Sequence, residues 1–182
     1  MPTLSPALLS SRSNLVSAIL RAASSVNFTL DDLAEIVSIA RAAGVKTYLT
    51  VNTIIYDDEI PKLHAVIDRA AAEGITALIV ADQAAIEYAR SRGLEVHIST
   101  QLNVSNVETL KFYSRWADVV VLARELSMEQ VAYIHSQIIE RDIRGPKGEL
   151  IQIEMFAHGA LCMAISGKCY LSVHETGCSA NR

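Results

Sequence analysis

From Thr29 onward the chain alternates between two spacings of apolar residues. Leu33, Ile36, Val37 and Ala40 recur at helical spacing. They predict a helix over Thr29–Ala43, with Thr29 as its cap, Asp31 and Asp32 in its first turn and Gly44 just past its end. The run Val45–Asn52 is β-branched and aromatic and has the length of a strand. A second helix is expected over Glu59–Ala72, with Pro61 in its first turn and Gly74 as its stop. Ala77–Asp82 is apolar until its last residue, as in a parallel strand covered on both faces. The alternation continues through helix Gln83–Arg92, strand Leu94–Thr100, helix Val104–Trp116 and strand Asp118–Ala123. It closes with helix Met128–Arg141, capped by Ser127, a Gly-Pro-Lys-Gly loop and strand Leu150–Ala157.

Five helix-then-strand units in a row imply parallel strands joined by right-handed crossovers. A doubly wound open sheet and a (β/α)₈ barrel both accept that pattern. No G-x-G-x-x-G follows any strand, which weakens the dinucleotide-binding version. Polar residues collect where strands stop: Asn52 and Thr53, Asp82, Thr100 and Gln101, Arg124 and Glu125, then Glu154 and His158. In a barrel those ends converge on one active-site face, whereas the ordinary reading is that polar residues start loops and cap helices. The expected fold class is a parallel α/β barrel-like domain of the TIM-barrel type. It is incomplete, because a full barrel takes eight strands in roughly 250 residues. The chain therefore reads as an interior segment, short at both ends.

Composition narrows the class without naming a function. The 182 residues are 51% hydrophobic and 20% charged, with a formal net charge of -4, which describes a folded globular chain. The acidic balance gives no general electrostatic attraction to nucleic acid, and no basic stripe with interleaved aromatics stands out. No apolar stretch is long enough for a spanning helix. Three cysteines are an odd number for a secreted disulfide framework, so reduced thiols and a cytoplasmic location are expected. Residues 1–25 hold only Arg12 and Arg21 as charges. They match no secretory pattern and read as a poorly ordered segment outside the fold. The organisation expected is thus 1–25 unmatched, 26–158 barrel-like, and 159–182 a Cys- and Gly-containing segment.

That last segment is the richest in chemistry. His158 lies four residues before Cys162, and Cys169 lies seven after it, so on a helix all three would share a face. Four thiolates hold an iron–sulfur cluster, four Cys or His ligands hold zinc, and a Cys beside a His base makes a nucleophile. Spacing separates none of these from the bland alternative of small buried cysteines. Glu154, as orienter of a Cys162–His158 pair, would sit about 13 Å from His158 along a straight strand, too far unless the chain turns.

The succession His158-Gly-Ala-Leu-Cys162, Ser166-Gly-Lys-Cys169, Ser172 and Ala180-Asn-Arg182 resembles the signature of the collagenase-like U-32 peptidase family. The likeness extends back through Ser99–Asn103, Val121–Leu126 and Leu49–Thr53, and covers roughly Arg21 to Arg182. It implies a barrel-like α/β fold. It also implies either collagenase-like proteolysis or oxygen-independent hydroxylation, including RNA modification, with a four-iron–four-sulfur cluster. By resemblance Cys162 and Cys169 match the first two cluster cysteines. In the hydroxylase reading Arg124 and Glu125 face the barrel mouth toward a charged substrate, and Asn52, Asp82 and Gln101 add polar contacts. In the peptidase reading Cys162, His158 and Glu154 carry the reaction. A third reading is a non-enzymatic partner subunit or oligomer, since an incomplete barrel exposes apolar surface. The substrates implied are a small molecule, RNA or a peptide, with no membrane involved. Two departures stand out: the Pro-Ala-Gly and Tyr-Phe-Gly elements of the family's opening strands are absent before Arg21, and Cys178 occupies a position the family more often fills otherwise. The complete protein is expected to be an enzyme.

Overall fold

A computed structural model describes residues 16–19 and 29–158, together with residues 164, 169 and 174–175. Six strands and five helices alternate: β1 (Val16–Ile19), α1 (Leu33–Ala42), β2 (Thr47–Val51), α2 (Ile60–Glu73), β3 (Ala77–Val80), α3 (Gln83–Ser91), β4 (Glu95–Ile98), α4 (Val107–Tyr113), β5 (Val119–Val121), α5 (Met128–Glu140) and β6 (Gln152–Glu154). All neighbouring pairs are parallel, and the order across the sheet is the order along the chain. A doubly wound sheet reverses its order at a switch point; a barrel does not. The sequential order therefore selects the barrel-type winding, here as an open six-stranded arc.

Winding in one direction puts every crossover helix on the same side of the sheet. One face of each strand packs under those helices. Leu49, Leu78, Val80, Val96, Ile98, Val120 and Leu122 join Val37 of α1, Ile67 of α2, Ile86 of α3, Leu110 of α4 and Ile134 of α5 in one apolar core. Several of these, including Ile67, Leu78, Val96 and Ile98, are fully buried.

Local chemistry explains most boundaries. Pro61 lies in the first turn of α2, and Gly74 ends that helix in the left-handed conformation at φ 76°. Asp82 caps α3 by accepting from the Ala84 amide at 2.8 Å, and Asn106 caps α4 through Thr109 at 2.9 Å. Ser127 and Gln130 form a reciprocal capping box on α5. Three expectations need correction. Thr29 does not cap α1; its amide and hydroxyl donate to Asp32 Oδ2, and the helix begins at Leu33. α4 starts at Val107 rather than Val104, because a 3₁₀ turn over Thr100–Leu102 and a left-handed Asn103 come first. β6 is shorter than Leu150–Ala157, since Leu150 instead bridges antiparallel to Arg144. β1 pairs in parallel with β2 at one edge of the sheet. Among the described residues, no helix is long and apolar enough to cross a membrane.

Candidate functional site

The face turned away from the helices is the inside of the arc, and its chemistry is different. On β4, Val96 and Ile98 enter the apolar core, so Glu95 and His97 point inward. Tyr48 of β2 and Glu154 of β6 share that inner face, while the strands between present the small or apolar Ala77, Ile79, Val119 and Val121. His97 is only 3% exposed, although imidazole is a polar group that burial penalises unless it is partnered.

Its partners form a column along the inner face. Lys147, in the Gly-Pro-Lys-Gly loop, donates through Nζ to Glu95 Oε2. Glu95 Oε1 lies 3.0 Å from His97 Nε2, and Glu154 Oε1 lies 3.9 Å from His97 Nδ1. The Tyr48 ring tilts against the imidazole at 5.2 Å between centroids. The hydrogen bond from His97 lowers the Glu95 pKa to about 2, aided by Lys147 and opposed by burial. An ionised carboxylate only accepts hydrogen bonds, so Nε2 carries a proton and Nδ1 is left facing Glu154. Burial, then the nearby Glu154 and Glu95 charges, pushes the Tyr48 hydroxyl pKa up, so that group stays protonated and neutral.

The loop that delivers Lys147 depends on Gly145. A Cβ there would fall 2.6 Å from Asp118 Oδ1 and 2.9 Å from Asp118 Cα, so only glycine lets the loop lie this close. The same Asp118 oxygen accepts from the Lys147 amide at 2.9 Å.

Above this column stand the strand ends. Asn52 Nδ2 reaches across β3 to Ser99 Oγ at 3.4 Å, and Ser99 Oγ also accepts from the Gln101 amide. Thr100 Oγ1 donates to the Leu122 carbonyl. Arg124 lies beyond β5, exposed, and its Nη2 donates to the Ala164 carbonyl at 3.1 Å. Ala164 falls between Cys162 and Cys169 in the sequence, and this bond places it at the C-terminal end of the sheet. Glu125 and His158 are exposed, and Cys169 is half-buried. Cys162 lies outside the described residues. Asp82 is at a strand end, as expected, with its carboxylate engaged as the cap of α3.

Thus Asn52 and Gln101 gather around Ser99, and Arg124 meets Ala164. Glu154 sits beside His97. Sequence reasoning passed over His97, Glu95 and Lys147. The signal was present: Glu95, His97 and Ser99 alternate with Val96 and Ile98 inside a strand whose parallel neighbours are almost wholly apolar. Among the described residues no group of three or more His, Cys, Asp or Glu is gathered as a metal site.

Residues 14–182 match the family model of peptidase family U32. A protein named collagenase from Porphyromonas gingivalis is 61% identical over 163 residues, covering 90% of this chain and 39% of that protein. The 23S rRNA 5-hydroxycytidine C2501 synthase of Escherichia coli is 40% identical over 158 residues, covering 85% of this chain and 22% of that protein. The chain thus spans well under half the length of these relatives. A solved structure described as the U32 peptidase Mk0906 superposes with a TM-score of 0.56 at 15% identity, covering 80% of this chain and 85% of that one, which supports the fold. Proteins named for collagen breakdown and for RNA hydroxylation therefore stand side by side among the relatives, and the chain belongs to peptidase family U32.

Proposed function

We propose that this chain is the barrel portion of a cytoplasmic enzyme that hydroxylates an RNA base without molecular oxygen, with an iron–sulfur cluster beside the barrel mouth. The observation that carries this reading is the Arg124–Ala164 hydrogen bond, which places Ala164, two residues after Cys162 in the sequence, at the end of β5. The active face of a parallel barrel lies at that end of its strands.

The cysteines suit such a cluster in kind and fall short in number. A four-iron cluster takes about four thiolates. Cys162 and Cys169 supply two by their match to the family signature, and Cys178 is the one other thiol in these 182 residues. When bound, the cluster would supply one-electron transfer at the mouth. The chain's own residues bind and orient. Asn52 and Gln101 offer amide groups to the edge of a base, and Arg124 and Glu125 meet its charged surroundings. Asp82 acts indirectly by holding the start of α3.

A second reading, peptide hydrolysis with Cys162 as nucleophile and His158 as base, is favoured by the 61% identity to a protein named collagenase. One experiment separates them. These residues replace the matching segment of the Porphyromonas relative, and the product is purified without oxygen. The expected result is about four irons and four sulfides per chain, lost in Cys162→Ser and in Cys169→Ser. An iron-free protein that cleaves gelatin, and stops doing so in Cys162→Ser and His158→Ala, would replace the hydroxylase reading with the hydrolytic one.

A further inference from the structure

The inward column of charged side chains has a direction. Lys147 lies at the N-terminal end of the strands, Glu95 next, His97 in the middle, and Glu154 at the end of β6 nearest the mouth. The groups facing His97 are few. β2 contributes Tyr48, β4 contributes Glu95 and β6 contributes Glu154, while the described side chains of β3 and β5 on this face carry no charge. The Glu154 side chain is 48% exposed, against 4% for His97. One carboxylate therefore reaches solvent and comes within 3.9 Å of a buried imidazole.

We propose that His97 is a positioning residue of the barrel mouth: held by Glu95 through Nε2, it presents Nδ1 to Glu154 and exchanges a proton with that carboxyl group. Glu154 then serves as the acid–base group that meets substrate. The step balances as a proton transfer. The hydrogen leaves a protonated Glu154 oxygen and joins the Nδ1 lone pair, leaving a carboxylate and an imidazolium, and the reverse step returns it. The charge on the imidazolium is met by ionised Glu95, which Lys147 in turn holds. A small rotation of the half-exposed Glu154 side chain, or one water, spans the 3.9 Å between them. This inference rests on the mouth being the reacting end, as proposed above, and is independent of which reaction occurs there.

Two readouts test it. In the full chain with ¹⁵N-labelled histidine, assigned with His97→Gln, the imidazole is expected as the Nε2–H tautomer. Its Nδ1 resonance should show an extra inflection with pH that disappears in Glu154→Gln. A dominant Nδ1–H tautomer, or the same titration curve in Glu154→Gln, overturns the proposal whatever the enzyme does. In the chimaeric enzyme, His97→Gln should keep the full iron content while lowering turnover by about 100-fold and flattening its dependence on pH. Unchanged turnover and an unchanged pH profile with iron retained overturn it as well. Loss of iron in the parent protein, with the tautomer and the inflection intact, would instead count against the hydroxylase reading alone.

Discussion

Val96 and Ile98 of β4 face the helices, and Glu95 and His97, one residue away on the same strand, face the inside of the arc. The first pair is anchored by close packing that any apolar residue of the right volume would partly satisfy. The second is anchored by named partners at set distances, so its stability depends on ionisation. The same short strand thus carries a structural face and a chemical face, and substitutions on the two should fail in different ways.

The largest effect is expected on the structural face. Ile98→Ala should cost about 2–5 kcal/mol, read as a lower midpoint in denaturant. Its size should be nearly the same at pH 7 and in mild acid, since no charge is involved. A loss that varied strongly with pH would break the distinction between the faces. On the inner face, Glu95→Gln removes a carboxylate whose pKa is lowered from 4.5 to about 2. A lowered carboxylate stabilises the fold fully above its unfolded pKa, and the benefit fades as pH falls toward the folded value. The penalty should approach roughly 3 kcal/mol at neutral pH and vanish near pH 2. Parallel denaturation curves at pH 7, 4 and 2.5 would measure it, and a penalty independent of pH would show that Glu95 acts by packing. Gly145→Ala comes next. Its new methyl would press on the Asp118 backbone and shift the loop that carries Lys147, with a loss of about 1–3 kcal/mol. If the loop's displacement also frees Glu95, the loss should shrink in the Glu95→Gln background, as a double-mutant cycle would report. Smallest is Ser127→Ala, which removes the cap of α5 on the outer layer and should cost about 1 kcal/mol with no effect on the inner column. Thermal unfolding with the His97 resonance monitored in parallel would check both halves.

The outer face was the legible one. Helical spacing and β-branched runs located all five helices and the five strands from β2 to β6, because each packs an apolar stripe whose period is written in the sequence. Ends were less legible where a side chain decides them, as when Asp32 accepts from Thr29 and delays α1. β1 was missed because four residues interrupted by a serine have no stripe to show; it exists through its pairing with β2. At the site, Asn52, Gln101 and Arg124 were visible as polar residues at strand ends. Glu154 was found for its position at a strand end, while its closeness to His97 comes from β5 setting β6 in register with β4. His97 itself was hidden by the habit of reading a strand by its apolar members. The cysteines were legible only through resemblance, and Cys162 lies outside the described residues.

The strand order has a consequence for how the molecule comes into being. Leu49 pairs with Leu78 across 29 positions and Val80 with Ile98 across 18, so each strand finds its neighbour one unit back along the chain. Closing a short loop costs less chain entropy than closing a long one, so pairing with the adjacent unit is favoured over pairing with a remote one. Each added unit extends the apolar layer by one strand and one helix. The inner column draws on β2, β4 and β6 at once, so it becomes whole only after β6 has joined the sheet, later than the apolar contacts of the units before it.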